Sequence, residues 1–177
     1  MQALLEKQRA AFVAEGLVSA ETRIDRLERA LCVLHDNQNE IADAIDEDFG
    51  NRSRHQSLMS DIYATMESFK DAKKRVRRWM KHEKRRVGMP HLLFGAKAAV
   101  EYQPKGVVGI VGTWNFPITT TFSPLTGALA AGNRVMFKFS EGAPATAALL
   151  ARLIGDSFDE TEIGCVSGGA DVAAAFC

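Results

Sequence analysis

Past residue 100 the hydrophobic period of the chain changes, and that change restricts the fold more than any other feature. The run "GVVGIV" (106–111) is short, apolar and rich in β-branched residues, the composition of a strand buried on both faces in a parallel sheet. "NRVMFK" (133–138) and "EIGCVSGG" (162–169) repeat the pattern. Between them lie "ITTTFSPLTGALAAG" (118–132) and "PATAALLARLIGDSF" (144–158), and "ADVAAAF" (170–176) opens a further helix. Strands alternating with helices give βαβ units joined by right-handed parallel crossovers. The first of these helices is expected to stop at Gly132, although its threonines and Pro124 lower its intrinsic propensity.

The first ninety or so residues carry a helical period instead. Leu4, Leu5, Ala11 and Phe12 form a stripe interrupted by Gln8, with Gly16 as the stop. Ser19 is a good N-cap for a second helix that sets Ile24, Leu27, Leu31 and Leu34 on one face. Asn37 stands three residues before Glu40, the spacing of a capping box, and Ile41, Ile45 and Phe49 follow before Gly50. A longer helix is expected from near Ser57, with Ile62, Met66, Phe69, Val76 and Trp79 inward. Its other face is basic: residues 70–86, "KDAKKRVRRWMKHEKRR", hold ten of the 22 Lys and Arg. The Gly- and Pro-bearing "VGMPHLLFGAKAAVEYQP" (87–104) reads as a linker into the first strand. The expected organisation is a helical region and linker over 1–99 and α/β units over 100–177.

Lys plus Arg and Asp plus Glu both number 22, so no net charge draws the chain to nucleic acid or acidic lipid. The most apolar region, 107–131, is broken by Asn115, Pro117 and Pro124 and cannot form a membrane span. The N-terminal residues carry charge throughout, without a signal-peptide core, so a cytoplasmic location is expected. Cys32, Cys165 and Cys177 are an odd set at unrelated spacings, which fits free thiols. His35, His55, His82 and His91 lack the spacing of paired metal ligands, and no metal site is expected.

The stretch "GVVGIVGTWNFPITTTF" (106–122) carries the chemistry. Asn115 falls just past the carboxyl end of a parallel strand, where ligands bind in open α/β sheets, and Pro117 suits the first turn of the next helix. Unpaired N–H groups and the positive dipole end at that helix start favour negative charge. The Asn side chain adds an uncharged NH₂ donor that no pH change neutralises, as an oxyanion site requires. It is expected to face a cavity large enough for the reactive end of a nucleotide. The bland alternative stays open on these grounds: Asn and Pro are ordinary turn residues, and Trp114 is large enough to serve as core cover.

"GVVGIVGTWNFP", followed by "PLTGALAAGNRVMFKFSE" and "GGADVAAAF", resembles the N-terminal part of the NAD(P)-dependent aldehyde dehydrogenase family. The chain is most similar there to the coniferyl aldehyde dehydrogenase group. "RIDRLERAL", "DFGNRSRHQSLMSDI" and "VEYQPKGVVGIV" extend the resemblance upstream over nearly the whole chain. It implies an α/β fold with N-terminal helices packed on a partial Rossmann-like parallel sheet, the beginning of a cofactor domain. It also implies oxidation of an aromatic aldehyde to the acid with NAD, NADP being possible, in a homo-oligomer. Asn115 matches the family Asn that helps stabilise the oxyanion, and Trp114 a residue lining the cofactor cleft. Lys138 matches a Lys contacting the adenosine ribose, and Glu141 a Glu accepting from the ribose hydroxyls. Lys offers only donors and Glu only acceptors, so the pair can bracket a diol, and Glu141 should repel a 2′-phosphate. The plainer alternative is that the two form an exposed ion pair of little energetic weight.

Two positions depart from the family pattern, Thr113 and Phe139 standing where Pro is usual. The family's glycine-rich turn, general-base Glu and nucleophilic Cys are not found in residues 1–177. Cys32 reads as a buried small hydrophobe, Cys165 as a strand residue, and Cys177 has nothing after it to hold it, so none is expected to be the nucleophile. The chain alone is therefore expected to be inactive. With one sheet edge left open, poor stability or self-association in isolation is also expected. A rival from another class is a nucleic-acid or acidic-partner binding helix built on residues 70–86, and a third is a structural assembly fragment. Against the second stand the zero net charge and the apolar stripe of that helix.

Overall fold

The computed structural model describes every residue from Met1 to Cys177. Five helices come first: α1 (Gln2–Glu15), α2 (Ala20–Asp36), α3 (Gln38–Phe49), the single turn α4 (Arg54–Gln56) and, after a π-helical stretch over Ser57–Tyr63, α5 (Ala64–Trp79). A ribbon of β1 (Glu83–Arg85) and β2 (Ala98–Val100) follows, and then β3 (Val107–Val111), α6 (Thr119–Ala130), β4 (Arg134–Lys138), α7 (Pro144–Ser157), β5 (Ile163–Val166) and α8 (Ala170–Phe176). The α/β expectation therefore holds.

Ser19 caps α2 by accepting the Thr22 N–H at 3.1 Å, while Gly16 and Gly50 end α1 and α3 at φ of +69° and +74°, which only glycine adopts without strain. The Asn37 capping box does not form. The Asn37 amide turns back to the Val33 carbonyl at 2.9 Å, and Glu40 pairs with Arg152. α2 and α3 follow each other so closely that Asn37 ends one as it starts the other. Trp79 also departs from expectation, being 46% exposed at the end of α5. The expected linker contains β2, which runs antiparallel to β1 with Glu83 opposite Val100.

β3, β4 and β5 form one parallel sheet in that order, Val108 beside Val135 and Phe137 beside Cys165. Only β4 lies between neighbours, and it alone has every residue buried. β3 keeps only Ile110 buried, because an edge strand of a short sheet is not covered along its whole length. The strand period assigns the two faces. Ile110, Val135, Phe137 and Ile163 face α6 and α7, which both lie on that side because both crossovers step the same way across the sheet. α2, α3 and α5 pack outside α6 and α7. On the other face, Leu4 of α1 closes on Gly164 and Phe176 of α8 on Gly109; an added Cβ would sit 2.7 and 2.8 Å from those side chains. Phe69, Phe122 and Phe137 continue the core from α5 through α6 into β4, with ring centroids 6.4 and 6.0 Å apart.

Charge joins the layers as well. Arg26, with only 4% of its side chain exposed, bonds Glu15 and Glu162 at 2.7 Å each, and Arg134 reaches Glu15 at 2.8 Å. These contacts tie α1 and α2 to β4 and the approach to β5. No helix is long and apolar enough to cross a membrane.

Candidate active site

Beyond Val111 the chain leaves β3 through Gly112, whose N–H still bonds the Lys138 carbonyl at 2.9 Å. A Cβ at this position would meet the Thr121 methyl at 2.5 Å, so the strand can pass α6 this closely only with glycine. Thr113 then fixes the loop: its N–H donates to Thr120 Oγ1 at 3.1 Å, and its hydroxyl donates to Asn115 Oδ1 at 2.7 Å. That bond occupies the acceptor end of the Asn115 amide and leaves its NH₂ without a protein partner. Pro117 lies in the turn just before α6, where the Phe116 carbonyl accepts the Thr120 N–H at 3.0 Å.

Asn115 is exposed. Its carbonyl is held by Arg52 Nη1 at 2.6 Å, and the Arg52 guanidinium lies between the Phe49 and Phe116 rings, 4.7 and 4.8 Å from their centroids. Trp114, 59% exposed, packs 6.0 Å from Phe49 and against Gly142, where an added Cβ would be 3.1 Å from its own Cβ. It is not core cover.

Lys138 stands opposite Val111 in the ladder. The whole residue is 1% exposed, and its ammonium forms an ion pair with the carboxylate of Glu141, whose side chain is half exposed. The hydrogen bond from Lys138, with help from the Glu141 backbone N–H, holds that carboxyl below its usual range. The Asn115 amide, the Trp114 ring and the Lys138–Glu141 pair thus occur together past the carboxyl ends of two adjacent strands. A small void beside them, between Gly112, Pro117, Thr121, Phe139 and Thr146, measures about 10 Å³, is lined by none of Trp114, Asn115, Lys138 and Glu141, and is too small for the expected nucleotide. Trp114 and Asn115 themselves lie at the surface of this chain.

The helix starts at this edge differ from expectation too. Ile118 and Ala143, the residues preceding α6 and α7, cannot cap. Two carboxylates from the helical layer do so instead. Buried Asp61 accepts the Thr119 N–H at 2.6 Å and the Ile118 N–H at 3.4 Å. Asp48 accepts the N–H groups of Ala145 and Thr146, both at 2.8 Å. These donors are satisfied and do not await an anion. Asp48, Asp61 and Arg52 went unnoticed in the sequence, where the one usable signal was negative: neither helix has a capping residue of its own.

Burial pushes the Cys165 thiol up to about 12. Cys32 is exposed, contrary to expectation, because it falls on the outer face of α2 beside buried Leu31 and Val33. On the basic face of α5, Lys70 pairs with Glu67, Lys73 with Glu28, Arg75 with Asp71 and Arg77 with Glu21. Four of the basic side chains on this face thus already have acidic neighbours.

Comparison with known proteins gives a consistent picture. Residues 1–177 match the model of the aldehyde dehydrogenase family. The chain is 48% identical over 97% of its length to a coniferyl aldehyde dehydrogenase of Pseudomonas sp. strain HR199, covering 35% of that protein. It is 44% identical over 99% of its length to a probable coniferyl aldehyde dehydrogenase of Caulobacter vibrioides, covering 36% of it. The chain thus spans about a third of the length of these curated relatives. Staphylococcus aureus AldH, solved in a substrate-bound state, superposes with a TM-score of 0.90 at 27% identity over 98% of this chain and 37% of that one. Succinic semialdehyde dehydrogenase of Streptococcus pyogenes, solved with NADP+, shares the fold with a TM-score of 0.83 at 15% identity, over 98% of this chain and 37% of that one.

Proposed function

The chain belongs to the aldehyde dehydrogenase family, and from that premise we propose that it forms the N-terminal part of an enzyme oxidising an aromatic, coniferyl-type aldehyde to its acid with NAD(P). Residues 1–99 are read as the helical region and linker, and 100–177 as the first units of the cofactor domain. The observation that carries the reading is the grouping of a free amide donor, an exposed indole and a Lys–Glu pair past the ends of β3 and β4.

Asn115 donates through its NH₂ to the oxygen that gains charge when the aldehyde carbon is attacked, with Thr113 orienting the amide by occupying Oδ1. The donor set fits a dinucleotide: Lys138 and ionised Glu141 offer a donor and an acceptor to a ribose diol, and Trp114 offers a ring face. NAD(P), when bound, supplies the hydride acceptor. The Glu141 carboxylate disfavours an additional phosphate on that ribose, so NAD is preferred over NADP. No thiol among residues 1–177 has a basic partner to activate it, and this chain by itself does not oxidise aldehydes. Action as a homo-oligomer in the cytoplasm belongs to the same proposal.

The test is a chimera in which residues 1–177 replace the matching third of the Pseudomonas coniferyl aldehyde dehydrogenase. NAD-dependent oxidation of coniferyl aldehyde is expected there. Asn115→Ala in the chimera is expected to lower kcat about 10²- to 10³-fold, the usual effect of losing one oxyanion donor. A chimera whose kcat is indifferent to Asn115→Ala would refute the assignment, as would NAD reduction by the purified 177-residue chain.

A further inference from the structure

A cavity lies at the other end of α6 from Asn115, a helix of twelve residues away, or ~18 Å at the usual rise. It measures about 810 Å³ and opens where the carboxyl ends of α5 and α6 meet the β1–β2 ribbon. That volume suits a small organic ligand. Its charge is one-sided. Arg75 is paired with Asp71, and the one acid in the wall, Glu83, is taken by Arg85 and by the Tyr102 hydroxyl. Arg23, Arg78 and Lys81 in the same wall have no carboxylate partner.

Arg23 is the least expected of these. It is 6% exposed, and it lies so close to the Gly132 backbone that an added Cβ would be 2.9 Å from its guanidinium carbon. Its Nε donates to the Val18 carbonyl and its Nη1 to the Ala130 carbonyl, each at 3.1 Å. Nη2 has no acceptor in the protein. A nearly buried guanidinium with a spare donor in a cavity wall is a group set to meet an anion. Trp79 and Tyr102, 46% and 62% exposed, line the same space and offer ring faces.

We propose that this cavity binds a small ligand carrying an anionic group on a planar ring, an aryl carboxylate or an aryl phosphate, with Arg23, Arg78 and Lys81 on the anion and Trp79 and Tyr102 on the ring. The site lies far from the strand ends and does not depend on the function proposed above.

Calorimetric titration of the 177-residue chain with cinnamate and with phenyl phosphate tests it, with cinnamyl alcohol as the neutral control. Saturable binding of one or both anions is expected, the pattern telling carboxylate from phosphate ligands, with far weaker binding of the alcohol. Arg78→Met with Lys81→Met, two surface changes that leave the fold intact by circular dichroism, should weaken binding about tenfold or more, the effect of losing charge-assisted hydrogen bonds. Trp79→Leu should weaken both aryl anions while leaving inorganic phosphate unaffected. Lys7→Met, which removes an exposed cation outside this cavity, should change nothing. The proposal is overturned by no saturation up to about 10 mM, by equal binding of the alcohol, or by loss of binding in Lys7→Met with the double variant unaffected.

Discussion

The carboxylate of Asp61 accepts the backbone N–H of Thr119 at 2.6 Å, so a residue of the helical layer starts a helix of the α/β layer. Asp61 is fully buried and supplies the cap that Ile118 cannot. Removing it leaves the first N–H groups of α6 unpaired in the interior. Asp61→Ala is expected to cost about 2–3 kcal/mol, as for a buried hydrogen bond to a charged group. In urea unfolding this appears as a lower midpoint at unchanged slope. A loss below about 0.5 kcal/mol would mean that water or another group caps the helix.

Phe122 is fully buried between Phe69 and Phe137. Truncation to Ala there combines lost transfer energy with a cavity shared by three elements. Phe122→Ala should destabilise by about 3–5 kcal/mol, and Phe122→Leu by much less, since Leu refills most of the space. Thermal unfolding of the two variants beside the parent chain measures the difference.

Glu162 binds Arg26 and Arg29. Burial pushes its carboxyl up, but hydrogen bonds and attraction from the two arginines outweigh burial and hold it below its ordinary value of 4.5. A carboxyl lowered by folding adds stability above its unfolded value and loses that contribution as pH falls through the folded one. Glu162→Gln should therefore lower Tm at pH 7, where it leaves nearly buried Arg26 under-compensated at a cost of about 2–3 kcal/mol. The gap between variant and parent should close as pH drops below 4.5. A gap independent of pH would assign the effect to shape instead of charge.

Thiol labelling should separate the cysteines. Cys32 and Cys177 are exposed, whereas burial raises Cys165 to about 12. At pH 8 that thiol therefore stays protonated, and the thiolate is the reactive form. Mass spectrometry after brief iodoacetamide treatment should find the first two modified and Cys165 modified only after unfolding.

Much of the α/β half was legible because its signals are local. The strand runs expected over 106–111 and 133–138 and the Gly132 stop each depend on a few neighbouring residues, and the strands form over Val107–Val111 and Arg134–Lys138; the Ser19 cap in the helical half is local in the same way. Asn115 stands out by its place just past a strand end, whereas Trp114, Lys138 and Glu141 are picked out only by the resemblance to the family. What stayed hidden depends on residues distant in sequence. Asp48 and Asp61 act on helices that begin 96 and 58 positions later, and nothing in "DEDFG" or "MSDIY" marks them as caps. Arg52 reads as a solvated loop cation until Phe49 and Phe116 are seen on either side of it. The ribbon escaped because three-residue strands such as Glu83–Arg85 are too short to display a period and gain their partners only by pairing.

The strand order has a consequence for growth. Since β4 is the middle strand and β3 and β5 the outer ones, further strands could dock on either flank without breaking a pair already made. The arrangement behaves like a crystallisation seed: it can enlarge by accretion, and the same exposed rows of donors and acceptors would welcome a stray copy as readily as a cognate segment.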